Sequence, residues 1–127
     1  MNLEHVALYV KDLETMKAFY VRNFGATANN QYHNPHTGLQ TYFLSFDGGA
    51  RLEIMQRPGM TPEANGEYVL GYSHISFKLG SVEKVDELTR VLQENGCPLL
   101  NGPRTTGDGY YESVLRDPEG NLIELVA

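Results

Sequence analysis

Apolar and polar residues alternate through residues 3–10, where Val6, Leu8 and Val10 fall on one face and Leu3, His5, Ala7 and Tyr9 on the other. Side chains on a strand point alternately to its two faces, so this segment reads as a strand with one face against a core. The period then changes. Leu13, Met16, Phe19, Tyr20 and Phe24 recur at helical spacing, Asp12 stands where an N-cap belongs and Gly25 where the helix should stop. Three further strands are expected at 26–33, 39–46 and 50–56, divided by the turn sequences NPHTG and DGG. The first half therefore reads β-α-β-β-β.

The same order returns later in the chain. An alternating strand is expected at 72–79, then a helix with Ser81 as N-cap and a stripe of Val82, Val85, Leu88, Val91 and Leu92, closed by Gly96. Strands at 98–102, 110–116 and 121–126 complete it, the last two joined by the turn DPEG. Residues 57–71 hold prolines and glycines without a period and read as a linker. The expected organisation is a first module at 1–56, the linker at 57–71 and a second module at 72–127, together one compact α+β domain.

The repeat carries chemistry as well as shape. His5 opens the run HVALYV and His74 opens HISFKL; Glu53 lies in RLEIM and Glu124 in LIELV. The His-to-Glu spacings are 53 − 5 = 48 and 124 − 74 = 50. Alternation puts each of the four on the strand face opposite the residues expected to pack on a helix. Arg51, Glu53, Met55 and Arg57 oppose Leu52 and Ile54, and Glu124 opposes Ile123 and Leu125. Two sheets facing one another would enclose a groove into which all four point. Glutamate is rarely buried unless paired or coordinating. Two imidazoles and two carboxylates balance a divalent cation and suit Ni, Co, Mn, Fe or Zn, with positions left for water or substrate.

Composition narrows the function classes. A net charge of −6 argues against nucleic acid as a partner, since phosphate contacts need a basic face. No apolar run approaches the roughly 20 residues of a membrane span, and the N-terminal segment reads as strand rather than leader, so a cytoplasmic location is expected. The single cysteine, Cys97, excludes an internal disulfide and reads as a small half-buried residue. His33 and His36 in YHNPHTG read as a polar surface turn, because no acidic or cysteine partner is near them in sequence. Of Tyr110 and Tyr111, alternation allows only one to face the groove.

HVALYVKDLETMKAFY with its following FG, and HISFKL with the terminal DPEGNLIEL, resemble the vicinal oxygen chelate superfamily, the glyoxalase/bleomycin-resistance/dioxygenase group. The resemblance spans nearly the whole chain and is most specific at DPEGNLIEL. It implies two βαβββ modules forming a cupped, incomplete β-barrel with the helices outside. It also implies metal ligands at His5, Glu53, His74 and Glu124, and the full His/Glu/His/Glu set is most like bacterial glyoxalase I. By that analogy one divalent metal acts as a Lewis acid on a developing enediolate. Glu124 moves a proton between adjacent carbons, with Glu53 as its pseudo-symmetric counterpart. The substrate implied is a small carbonyl compound or its thiol hemithioacetal, and the assembly implied is a homodimer.

The chain departs from that pattern at two positions. Tyr9 stands where glyoxalase I has an arginine and Arg57 where it has an asparagine, both of which help to hold glutathione there. Tyr9, Arg51, Arg57 and Lys78 are the substrate-contact candidates, the three cations suiting an anionic group. Rival readings are an isomerase resembling methylmalonyl-CoA epimerase and a non-catalytic drug-binding protein resembling bleomycin-resistance proteins. Thiol transferases and extradiol dioxygenases of the group use three ligands, which leaves Glu53 surplus.

Overall fold

The computed structural model describes residues 4–60, 72, 74–107 and 109–127. The chain divides into two compact units, Met1–Glu63 and Ala64–Ala127. Of the expected linker, residues 61–71 lie outside the described residues.

The first unit runs β1 (His5–Tyr9), α1 (Leu13–Phe24), β2 (Thr27–Ala28), β3 (Tyr32–His33), β4 (Gln40–Ser45) and β5 (Arg51–Gln56). The α1 ends match their chemistry. The Asp12 carboxylate accepts from Thr15 N at 2.9 Å, which satisfies one of the helix's unpaired donors. Gly25 adopts the left-handed conformation at φ 64° that stops the helix at little steric cost. Leu13, Met16, Phe19 and Tyr20 are buried, as their spacing requires. The strand order is β1-β5-β4-β2, with β3 also on β4. β1 runs parallel to β5, and α1 packs against β4 and β5.

The strand expected at 26–33 is two short strands instead. Asn29 is the reason: its side-chain Oδ1 accepts from Phe43 N at 2.8 Å, taking the place of a backbone acceptor in the ladder. Its own N–H donates to Phe43 O at 3.1 Å. A side chain that substitutes for backbone interrupts regular pairing.

The second unit runs β6 (His74–Lys78), α2 (Val82–Glu94), β7 (Leu99–Thr105), β8 (Tyr111–Arg116) and β9 (Leu122–Val126), in sheet order β6-β9-β8-β7. β6 is parallel to β9 and the other pairings are antiparallel. Ser81 Oγ accepts from Lys84 N at 3.3 Å, and Val85, Thr89 and Leu92 face the core. Val82, expected on that stripe, is exposed. Thr89 takes a buried place because its hydroxyl is satisfied, by Val85 O and Ser113 Oγ, each at 2.6 Å. β7 continues past its expected end at 102. The register shifts around Gly102, where φ is 80° and a Cβ would run into the Glu112 carbonyl oxygen, so the bulge needs glycine.

Both units thus pair a mixed open sheet with one helix, an α+β arrangement written twice. Among the described residues no helix is long and apolar enough to cross a membrane.

Candidate metal centre

Two His/Glu pairs occupy the same place in the two sheets. In the first unit the parallel register sets His5 beside Arg51 and Ala7 beside Glu53. In the second it sets His74 beside Leu122 and Ser76 beside Glu124. In each case the glutamate sits opposite the residue two beyond the histidine, so the two side chains share a face as diagonal neighbours. His5 Nε2 stands 3.8 Å from Glu53 Oε2, and His74 Nε2 stands 3.6 Å from Glu124 Oε2. The glutamates are the more buried partners, with side chains 16% and 17% exposed against 39% and 41% for the histidines. Behind them, Leu52, Ile54, Ile123 and Leu125 lie in the core, which fixes the direction in which each glutamate points.

These separations are too long for hydrogen bonds. At a ligand distance of about 2.1 Å, two donors of one ion stand roughly 3 to 3.6 Å apart for ordinary coordination angles, so the His74/Glu124 separation falls at the top of that span and the His5/Glu53 separation slightly beyond it. Among the described residues no group of three or more His, Cys, Asp or Glu gathers closely enough to hold a metal. Each unit brings together one histidine and one glutamate.

The two His/Glu pairs are supported differently. His5 Nδ1 bonds to the Glu4 carboxylate, and Glu4 in turn pairs with Arg51. The Glu4 carboxyl is held below the usual carboxylate range, first by the His5 hydrogen bond and then by Arg51. His5 meets the Phe43 ring edge to face at 5.3 Å between centroids, and the Arg51 guanidinium lies over the same ring at 4.1 Å. In the second unit, Ser76 Oγ donates to Glu124 Oε1 at 2.9 Å. The matching position beside Glu53 is Ala7, which has no hydroxyl.

The substrate-contact candidates fall in distinct settings. Tyr9 is 52% exposed at the end of β1, and Lys78 is exposed at the end of β6. Arg57 is exposed but lies one residue past the end of β5, so strand alternation does not set its direction. Arg51 is engaged by Glu4 and Phe43. Tyr111 turns to the helix, donating to Asp86 Oδ1 at 2.6 Å, and Tyr110, just before β8, is exposed. His36 belongs to a turn organised by Asn34, whose Oδ1 accepts from His36 N at 2.9 Å.

Sequence reasoning gave no role to Glu4, Phe43 or Ser76. Ser76 shared a face with His74 on the alternation pattern, so its signal was present; the pairing that brings Phe43 to His5 requires the sheet order.

A family model described as the Glyoxalase/Bleomycin resistance protein/Dioxygenase superfamily matches residues 2–125. An uncharacterised protein of Pseudomonas aeruginosa is 35% identical over 128 residues, covering 97% of this chain and 86% of the relative. Among solved structures, a glyoxalase family protein from Bacillus cereus superposes with a TM-score of 0.84 at 18% identity, over 99% of this chain and 93% of that one. The trypanothione-dependent glyoxalase I of Leishmania major gives 0.79 at 22% identity, over 99% of this chain and 86% of that one.

Proposed function

The chain belongs to the Glyoxalase/Bleomycin resistance protein/Dioxygenase superfamily, and we propose that it is a metal-dependent lyase or isomerase of glyoxalase I type. Its substrate in this reading is a small carbonyl compound or the adduct of one with a thiol. One observation carries the proposal: the same His/Glu pair stands at the same parallel register in both units, with Nε2 to Oε2 separations of 3.8 and 3.6 Å. The superfamily includes glyoxalase I and other enzymes, and its members typically use a divalent metal.

His5 and Glu53 from one unit, with His74 and Glu124 from the other unit of the same chain or of a second copy, would hold one ion of Ni, Zn, Co, Mn or Fe. Bound there, the ion supplies Lewis acidity to neighbouring oxygens of the substrate. The protein's own residues supply the proton transfer. Glu124 takes a proton from the carbon beside the carbonyl and returns it to the adjacent carbon. Ser76 holds Oε1 of that carboxylate, which leaves Oε2 on the His74 side as the working oxygen. Glu53 is the pseudo-symmetric candidate for the same role. Lys78 and Arg57, as exposed cations, suit an anionic substrate group; Tyr9 adds an aromatic and hydroxyl contact. The same reading makes the protein a cytoplasmic homodimer.

The near-equal burial of the two glutamates favours one second reading. Two matched carboxylates suit an epimerase, in which one removes a proton and the other returns it to the opposite face of the same carbon.

Metal analysis after incubation with Ni, Co, Mn and Zn tests the premise, and less than a stoichiometric ion in every case overturns it. Methylglyoxal with glutathione should then give thioester absorbance. If metal binds and no thioester forms, proton exchange at a carbon beside a thioester carbonyl, read in deuterated water, decides for the epimerase.

A further inference from the structure

Resting on the metal-centre reading above, we infer that Glu4 is a positioning residue for the first half-site: it selects the tautomer of His5 and is itself held by Arg51. The geometry begins with the chemistry of the donor. An ionised carboxylate only accepts hydrogen bonds, so the His5 nitrogen bonded to Glu4 must carry its proton. That nitrogen is Nδ1. In the neutral imidazole the remaining nitrogen, Nε2, then has a free lone pair, and it is the one that faces Glu53 Oε2 at 3.8 Å. A metal-binding imidazole needs this arrangement, with one nitrogen free to coordinate and the other donating to a fixed acceptor.

Glu4 is not a loose terminal side chain. Its carbonyl accepts from Arg51 N at 2.9 Å, which extends the β1/β5 pairing one step beyond His5. Its carboxylate pairs with the Arg51 guanidinium, which lies 4.1 Å above the centre of the Phe43 ring. The His5 ring meets that same ring at 5.3 Å between centroids and an interplanar angle of 89°. Arg51, Glu4, His5 and Phe43 form a closed circuit of contacts that fixes both the rotation and the protonated nitrogen of the imidazole. In the second half Ser73 precedes His74, so the chain supplies no carboxylate at the corresponding position. Arg51 is on this account a support of the metal ligand and not a substrate contact.

Long-range 1H–15N NMR of metal-free protein at mildly alkaline pH reads the tautomer directly, with His5→Gln to assign the signal. Competition with a chromophoric chelator for zinc and cobalt(II) reads affinity without any turnover. Wild type should show His5 protonated on Nδ1. Glu4→Ala should shift it toward the Nε2-protonated form and weaken both metals about tenfold or more, in the range of lost outer-shell partners. Glu4→Gln, which keeps an acceptor but no charge, should fall between, and Arg51→Met should show part of the Glu4→Ala effect. The melting temperature should stay close to wild type, because the Glu4 pairs are exposed. An Nε2-protonated His5 in wild type, or unchanged tautomer and affinity in Glu4→Ala, overturns the inference. His5→Ala and Glu53→Ala separate the two failures. If both abolish metal binding while Glu4→Ala does not, only the role of Glu4 falls; if neither affects binding, the metal-centre reading falls with it.

Discussion

Ser76 Oγ donates to Glu124 Oε1 at 2.9 Å, one strand away in the β6/β9 pair. The register that makes this contact is repeated between β1 and β5, where Ala7 stands beside Glu53. Two His/Glu pairs built on one plan therefore hold their carboxylates differently. Glu124 has one oxygen fixed by a hydroxyl, and Glu53 faces a methyl group.

Removing that hydroxyl should be felt in catalysis. A hydrogen bond to a charged acceptor contributes about 1.5 kcal/mol, close to a factor of ten. Ser76→Ala should lower kcat/KM by about that factor and leave metal content near wild type. Glu124→Gln should keep most metal binding and lose turnover. Steady-state kinetics beside metal analysis check both; full activity in Glu124→Gln would move the proton transfer to Glu53.

The stoichiometry of metal binding distinguishes one shared centre from two separate ones. Two donors rarely suffice for a tightly held ion, whereas three or four protein ligands are the usual set. One ion per chain is expected, and His5→Ala and His74→Ala should each lose it. Two ions per chain would mean the pairs act independently. Mixing the two variants adds a second readout: recovered binding in the mixture shows that the pairs of one centre come from different copies.

The strand faces of the four candidate ligands were legible in sequence because each depends on local periodicity alone. Alternation around Leu52 and Ile54, and around Ile123 and Leu125, is enough to assign Glu53 and Glu124 to a face. The caps Asp12 and Ser81 were legible for the same reason. What surrounds these four side chains was not. Phe43 reaches His5 through β4, which lies beyond β5 in the sheet, and Ser76 reaches Glu124 across a parallel pair whose strands are far apart in the chain. Such contacts depend on register between distant segments, which no short window contains. Thr89 was missed for another reason: its burial rests on its bonds to Val85 O and Ser113 Oγ, and a hydrophobic count ignores it.

Cys97 should be inert in the native protein. It is 7% exposed, and burial, reinforced by the nearby Asp117 charge, pushes its thiol above the ordinary value. Alkylation by iodoacetamide should be much slower in native than in denatured protein. The sign of the pH effect follows. The fold favours the protonated thiol, so this contribution to stability is complete below the unfolded thiol's value of about 8.5 and declines as pH rises from there through the folded value. Denaturant melts of wild type and Cys97→Ala across that range should show a steeper alkaline loss in wild type. Parallel pH profiles would contradict the assignment.

The turn that feeds β9 leads directly into the strand that carries Glu124. Asp117 is 2% exposed and its backbone closes the turn, with Gly120 N donating to Asp117 O at 3.0 Å and Asp117 N to Asn121 O at 2.9 Å. Its carboxylate accepts from Glu119 N and Asn121 N, each at 2.9 Å, and from Asn121 Nδ2. Asp117→Ala would leave those backbone donors without their acceptor just before Leu122, the first residue of the strand that carries Glu124. The expected loss is about 1 to 3 kcal/mol of unfolding free energy. Asp117→Asn keeps one oxygen acceptor at the same place and should lose less. Because the turn sets where β9 begins, Asp117→Ala should also weaken metal binding at temperatures where the protein remains folded. Urea unfolding and zinc competition on the same samples test the two effects together, and a variant as stable as wild type would show that the turn is held by its backbone alone.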